Sequence, residues 1–258
     1  MRGVITSMYQ YLTIDRKDGI AIVTFQRPEQ LNAMNRAFMD EIVNAFHEVN
    51  EDERVRAIIV TGCGRAFMAG ADIKEYAAQT DEEFLAFQKK GWELYDAAEK
   101  GSKPYIAAVN GFALGGGFEI AAACDMILAS EDAKFGLPEV HLGLVPGGGG
   151  TQRLIQKIGI NRVREVLYTG GQFSAQQMYT WGVVNQVVPI DGLMDAAMQL
   201  AGKMARRPAK ALAQLKKLAY LSTCPLPLEE RMATEAQTVY DLYHTPEAQQ
   251  KIHEFANK

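Results

Sequence analysis

Two glutamates and two glycine-punctuated loops are the residues of this chain whose types and spacing best suit chemistry. In Phe112-Ala113-Leu114-Gly115-Gly116-Gly117-Phe118-Glu119 a strand-like run ends in three glycines ahead of a helical segment. Backbone N–H groups without partners therefore gather at the positive end of a helix dipole, which makes an anion site. A second loop, Ala66-Phe67-Met68-Ala69-Gly70-Ala71-Asp72, follows the preceding strand and also enters a helix. One amide from each loop could clamp a single oxygen, as an enolate or tetrahedral oxyanion requires, each donor contributing about 3 kcal/mol. Glu119 lies in the first turn of its helix, where the dipole favours the charged form, so it is expected to be ionised and available as a base. Glu139 sits in the otherwise apolar Phe135-Gly136-Leu137-Pro138-Glu139-Val140-His141-Leu142-Gly143. Buried there beside another carboxylate, it would have a raised pKa and could hold a proton to donate.

Each residue also has a plainer reading. Gly115–Gly117 fits a tight, close-packing turn, with Glu119 as a solvated helix-terminal charge. Glu139 after Pro138 fits a surface loop, Asp72 an N-cap, and His141 a structural or rim histidine. The Gly147–Gly150 run fits a sharply turned loop entering a helix at Thr151. Other chemistries lack their patterns. Gly62-Cys63-Gly64-Arg65-Ala66-Phe67 has Phe67 where a dinucleotide fingerprint needs its third glycine, and Pro146-Gly147-Gly148-Gly149-Gly150-Thr151 lacks the Gly-Lys-Ser/Thr of a phosphate loop. There is no H-E-x-x-H or G-x-S-x-G, and His47, His141, His244 and His253 show no close metal-ligand pairing.

The elements that must position these residues alternate. Gly19–Phe25, Arg56–Thr61, Tyr105–Val109 and Asp125–Ala129 are short apolar runs that predict buried strands. Between them, Asn35 can cap a helix whose Phe38, Ile42, Phe46 and Val49 share one face. A short helix is predicted near 72–77, and Thr80-Asp81-Glu82-Glu83 opens a long helix through Glu99 as a capping box. Glu119–Cys124 predicts a further, small-residue helix. The pattern is an α/β fold of repeated turns. From about Asp191 the strand signal stops, and Leu193, Ala197, Leu200, Met204, Leu212, Leu215, Leu228, Met232, Val239 and Tyr243 follow helical spacing. The expected organisation is therefore an α/β core over 1–191 that carries the active site and a helical region over 192–258. That region is too small to bury its own amphipathic faces, so it is expected to pack on the core or on another subunit.

Composition narrows the class. The 258 residues, 48% hydrophobic and 22% charged, are those of an ordinary globular chain, and 27 Lys and Arg against 31 Asp and Glu leave a net charge of −4. No overall field would concentrate nucleic acid or anionic lipid. Cys63, Cys124 and Cys224 are odd in number and far apart, which predicts reduced thiols in the cytoplasm. No apolar run approaches the length of a membrane helix or a signal peptide, and residues 1–7 read as an extension ahead of the first strand.

Taken together, Ala66–Glu75, Lys103–Gly111, Ala113–Glu119, Phe135–Glu139 and Gly149–Leu154 resemble the enoyl-CoA hydratase (crotonase) family. Arg27-Pro28, Leu31-Asn32-Ala33-Met34, Thr169-Gly170, Ser174-Ala175 and Gly182-Val183-Val184 extend the resemblance over nearly the whole chain. It implies a crotonase-type spiral of repeated β-β-α units, a C-terminal helical trimerisation region, and a homo-oligomer that is a trimer or a hexamer. It also implies that the amides of Ala71 and Gly116 form the oxyanion hole, with Glu119 and Glu139 as the catalytic pair of a hydratase that acts in fatty-acid β-oxidation or a similar degradation. The implied reaction adds water across a trans-2-enoyl-CoA to give a 3-hydroxyacyl-CoA. Ala69, Ala71, Asp72, Ile73, Lys74 and Gly116 are then the substrate-binding residues. The acyl-CoA thioester is the partner, no cofactor or metal is needed because CoA is part of the substrate, and neither nucleic acid nor membrane is expected.

Three departures stand out. Gly148 replaces the usual alanine, which implies a looser acyl side of the pocket; His141 replaces an apolar or basic residue; and the tail from Ala248 to Phe255 lacks the usual Glu-Gly. The competing readings are a double-bond isomerase that uses Glu139 alone, and an RNA-binding or scaffolding role carried by Arg206, Arg207, Lys210, Lys216 and Lys217.

Overall fold

The computed structural model describes residues 9–257, so the expected extension at residues 1–7 lies outside the described residues. The chain opens with an antiparallel hairpin of β1 (Leu12–Lys17) and β2 (Ile20–Phe25). Asp18 and Gly19 form its turn with φ of 53° and 77°, the left-handed pair whose twist matches the flanking strands. β1 lies outside the strands expected above, and Asp18-Gly19 is the signal that marks it. Helix α1 (Arg36–Glu51) follows as its spacing predicts, with the Asn35 side chain accepting from the Phe38 amide and Phe38, Ile42, Phe46 and Val49 buried.

Three turns of a coil come next. β3 (Ala57–Gly62), β4 (Ala66–Met68), α2 (Ile73–Tyr76) and α3 (Asp81–Glu99) make the first. β5 (Tyr105–Val109), β6 (Phe112–Leu114) and α4 (Gly116–Ala123) make the second. β7 (Met126–Ser130), β8 (Lys134–Gly136), a 3-10 turn over Pro138–Leu142 and α5 (Gly150–Thr169, broken at Gly159) make the third. β9 (Phe173–Ser174), α6 (Ala175–Thr180) and β10 (Gln186–Val188) complete the sheets. The first strand of each turn joins a six-stranded sheet ordered β1-β2-β3-β5-β7-β10, and the second joins a four-stranded sheet ordered β4-β6-β8-β9. Successive turns pair in parallel, which obliges the chain to cross over each time and so to coil. This is the expected β-β-α spiral. Its second strands, three residues or fewer, are too short for a period to show in the sequence.

The inner strands β3, β5 and β7 of the larger sheet are buried on both faces, as parallel strands usually are. Ile58, Val60, Ala107 and Val109 face the interior of the coil, whereas Ile59, Ile106, Ala108 and Leu128 pack against Leu193, Ala197 and Ala201 of α7 (Leu193–Ala205). Packing therefore sets α7, the first helix of the expected helical region, against the core, as one of the two expected arrangements has it. The physical reason is that α7 covers the outer face of a sheet that would otherwise expose its branched side chains. In contrast to α7, the terminal helices α8 (Ala209–Leu221), α9 (Leu228–Tyr243) and α10 (Pro246–Ala256) bury no residue. Lys216 ties α8 to the core: its Nζ donates to the carbonyls of Ala98 and Lys103 and pairs with Asp125 at 2.8 Å. No helix among the described residues is long and apolar enough to cross a membrane.

Candidate active site

The two loops singled out by their glycines meet at one cavity. The segment Leu31–Met34 holds the first: Ala69 donates to the Leu31 carbonyl, Met34 to that of Gly70, and Asp72 to that of Met34. Met34 and Ala71 thus form a parallel bridge whose bonds use the residues on either side of Ala71. Alternation along the backbone then turns the Ala71 N–H the other way, into the cavity. Asn32, fully buried, fastens the start of this loop by donating to the carbonyls of Cys63, Ala66 and Phe67. The second loop turns at Gly115, whose φ of 51° and close approach to Glu139 both disfavour a side chain. Gly116 then begins α4, so its N–H has no partner within the helix. Gly117 packs so tightly on the Met68 backbone that a Cβ would overlap it, which brings the two loops together.

Glu119, one turn into α4, is 3% exposed. Its Oε1 accepts two hydrogen bonds of 2.8 Å, from the amides of Gly148 and Gly150. Burial raises its pKa, while the Gly150 and Gly148 amides, the Arg153 charge and the nearby Tyr95 hydroxyl draw it back. Desolvation, rather than the helix dipole invoked from sequence, is thus the largest influence on this group. The glycine run read as a turned loop is that and more: Gly149, with φ of 91°, lets the chain reverse so that two amides point at one carboxylate oxygen.

Glu139 lies in the 3-10 turn and is half-buried. Burial pushes its pKa up to about 7, and the nearby Glu119 charge adds to the rise. Its Oε1 sits 2.9 Å from where a Gly115 Cβ would be, and its buried Oε2 has no hydrogen-bond partner in the protein. A carboxyl in this state near neutral pH can hold or release a proton readily. Both glutamates line a cavity of about 360 Å³ whose other walls include Met34, Met39, Phe87, Leu142, Leu144 and Val145. No cluster of three or more His, Cys, Asp or Glu among the described residues is placed to hold a metal.

Of the expected binding residues, Ala69, Ala71, Ile73 and Gly116 line this cavity, whereas Asp72 and Lys74 do not. The Asp72 side chain is already committed, to Arg27 at 2.8 Å and to the Lys74 amide as the N-cap of α2. Lys74 is exposed. Residues not singled out from sequence come mainly from α3, where Phe87, Gly91 and Tyr95 recur every four positions on one face. That spacing is visible in the chain; what the face looks onto is not.

The family model for enoyl-CoA hydratase/isomerase matches residues 15–258. The chain belongs to the enoyl-CoA hydratase/isomerase family. It is 37% identical over 247 residues to the 2,3-dehydroadipyl-CoA hydratase of Escherichia coli (strain K12), covering 96% of each chain. It is 36% identical over 254 residues to the crotonyl-CoA hydratase of Syntrophomonas wolfei, covering 97% of this chain and 96% of that one. Enoyl-CoA hydratase subunit I of Geobacillus kaustophilus HTA426 superposes with a TM-score of 0.92 at 40% identity, over 97% of this chain and 96% of the other.

Within the hydratase/isomerase family frame, the departure at Gly148 has a different consequence from the looser pocket expected. A Cβ at 148 would overlap the ring and hydroxyl of Tyr95, so the space gained from the missing methyl is filled by a phenol. His141 also lines the cavity, but its Nε2 lies 3.0 Å from the Thr169 carbonyl and tethers the 3-10 turn to the end of α5.

Proposed function

We propose that this protein hydrates trans-2-enoyl-CoA thioesters to 3-hydroxyacyl-CoA. The observation that carries the reading is the cavity itself: two carboxyls in unlike environments face it beside two unpaired amides from separate loops. Glu119 keeps Oε1 on the loop amides and takes a proton from water with its other oxygen. The resulting hydroxide equivalent bonds to C3 as the C2–C3 π pair moves onto the thioester, forming an enolate. The N–H groups of Ala71 and Gly116 bind that oxyanion, each contributing about 3 kcal/mol. Glu139 then delivers its proton to C2 and the carbonyl re-forms. Glu119 then holds a proton and Glu139 lacks one; proton exchange with solvent restores both, and the net change is addition of water.

CoA would approach along residues 71–74, largely through backbone, and the apolar walls suit an acyl chain. The test is bleaching of crotonyl-CoA absorbance by wild type, Glu119→Gln and Glu139→Gln. Rapid bleaching lost in both variants supports the hydratase. An inert wild type, or a Glu119→Gln variant fully active on a 3-enoyl-CoA while 2-enoyl-CoA is never hydrated, sinks it in favour of isomerisation.

A homo-oligomer, trimer or hexamer, is part of the same proposal. Its support is the set of apolar side chains left outward on the terminal helices, with Leu215, Met232, Val239, Tyr240 and Phe255 each at least 60% exposed. Sedimentation at the mass of a single chain would remove it. Three unpaired cysteines fit a cytoplasmic setting. The nucleic-acid reading loses support because Lys216, one of its five basic residues, is turned into the core.

A further inference from the structure

The loop that holds Glu119 is a run of four glycines, Gly147–Gly150, and brings no side chain of its own to fix it. Its two useful amides, those of Gly148 and Gly150, bracket the peptide unit that joins Gly148 to Gly149. Because that unit is planar, whatever fixes its carbonyl fixes the turn between the two donors. Arg153, at the start of α5, does so: its Nη1 donates to the Gly148 carbonyl, and its backbone N–H donates to that of Gly149 at 2.9 Å. The guanidinium is itself held. Its Nε and Nη2 donate to the two oxygens of Glu99, the last residue of α3, at 3.0 and 2.8 Å. Both side chains are largely buried, 15% and 23% exposed, and the planar fork sits 5.4 Å from the Tyr95 ring centroid. A Cβ at Gly149 would overlap Nη1, so the arginine lies directly on the loop.

We propose that Arg153, anchored by Glu99, is a positioning residue for the reaction: it holds the Gly148 carbonyl so that the amides of Gly148 and Gly150 stay aimed at Glu119 Oε1. The inference rests on the reading of Glu119 as the base. A glycine run left to itself samples both signs of φ, and a displacement of about 1 Å at such a site can cost about 100-fold in rate. Arg153 is not among the residues lining the cavity, so it acts on the loop and not on substrate. The same placement lets its charge favour the ionised form of Glu119, which burial disfavours. Tyr95 and Glu139 are the other titratable groups close to that carboxylate among the described residues.

The experiment compares wild type, Arg153→Gln, Arg153→Lys, Glu99→Gln, the Glu99→Gln/Arg153→Gln double variant and Glu119→Gln on crotonyl-CoA across pH, with a thermal melt of each to verify the fold. Arg153→Gln is expected to lower kcat about 100-fold while KM stays within about threefold of wild type. The acid limb of kcat/KM should move upward, because the charged form of Glu119 has lost its cation. Arg153→Lys keeps the charge without the fork, so it should lose at least about tenfold in kcat and leave the acid limb near its wild-type place. Glu99→Gln should lose about tenfold by freeing the guanidinium, and the double variant little more than Arg153→Gln alone. Hydrogen exchange of the Gly147–Gly150 segment, followed by mass spectrometry and blind to which group is the base, should quicken at least about tenfold in Arg153→Gln. Arg153→Gln with kcat within about threefold of wild type and unchanged loop exchange, beside an inactive Glu119→Gln, would make the arginine a packing residue and overturn the proposal while leaving the base in place. Should Arg153→Gln fail to fold, Arg153→Lys and Glu99→Gln decide the matter, and kcat within about threefold of wild type in both overturns it. A Glu119→Gln variant as active as wild type fails the assignment of the base and takes this inference with it.

Discussion

Glu119 and Glu139 are the same residue type facing the same cavity, yet their surroundings share almost nothing. Glu119 stands on a regular helix, is almost wholly buried, and has one oxygen held by two amides. Glu139 stands on a 3-10 turn, is half-buried, and keeps a buried oxygen that bonds to nothing in the protein. Burial raises the pKa of both, but at the first two loop amides and the Arg153 charge draw it back, whereas at the second burial, opposed by one backbone hydrogen bond and helped by the Glu119 charge, pushes it up to about 7. The lesson is that a base and an acid can be made from one side chain by deciding which one receives hydrogen-bond donors.

The sharpest way to break this comparison is to ask each carboxylate for a step the other does not need. Exchange of the C2 protons of a saturated acyl-CoA with deuterated water requires the group over C2 and the oxyanion amides, but no attack at C3. Followed by NMR, exchange should fall about 100- to 10,000-fold in Glu139→Gln and stay within about tenfold of wild type in Glu119→Gln. Equal losses would mean that the two carboxyls act as one unit.

Glycines offer a smaller and more local probe. A Cβ at Gly150 would stand 3.1 Å from Glu119 Oε1 and 3.0 Å from Leu137, whereas one at Gly115 would stand 2.9 Å from Glu139 Oε1 on a backbone with φ of 51°. Gly150→Ala should cost about tenfold in kcat/KM by shifting the base a few tenths of an ångström. Gly115→Ala should displace the acid instead and also lose about 1–2 kcal/mol of stability to backbone strain, seen as a lowered urea midpoint. In wild type, kcat/KM should decline above about pH 7, where Glu139 ionises. Gly115→Ala should move that alkaline limb and Gly150→Ala should leave it in place.

The smallest expected effect is on stability. With a native pKa near 7 against an ordinary value of 4.5, Glu139 binds a proton more tightly folded than unfolded. Its contribution is present below pH 4.5 and is lost as pH rises through about 7. Glu139→Gln should therefore be more stable than wild type at pH 8 by roughly 1 kcal/mol, solvent at the open side screening the rest, and should show no such gain at pH 4. A gain that is the same at both values would mean that Glu139 is not perturbed in the folded chain.

Elements carried by strong local patterns were legible in the chain. Asn35, Thr80 and Asp72 cap the helices their types suggested, and Ile58–Thr61 and Tyr105–Val109 are strands because runs of branched residues need burial on both faces. The loops bearing Ala71 and Gly116 were legible for a similar reason, since a glycine-rich strand-to-helix junction leaves amides unpaired wherever it occurs. The three-residue strands and the packing of α7 on the sheet were not, because each depends on a partner remote in the chain, whereas β1 pairs with its neighbour β2 across Asp18-Gly19, a local signal.

By itself the sequence determined the repeated α/β pattern, the two amide-bearing loops and the presence of two carboxyls near them, all set by local propensity and short-range spacing. Tertiary structure alone decided what those carboxyls are. The Gly148 and Gly150 amides reach Glu119 across about 30 positions, and Tyr95 fills the space over Gly148 from another turn of the coil. Asp72 was withdrawn from the site by Arg27, and α7 was drawn onto the sheet. Donor count, burial and steric fit are properties of what surrounds a residue, and neighbours brought together by coiling leave no mark in the residues on either side of it.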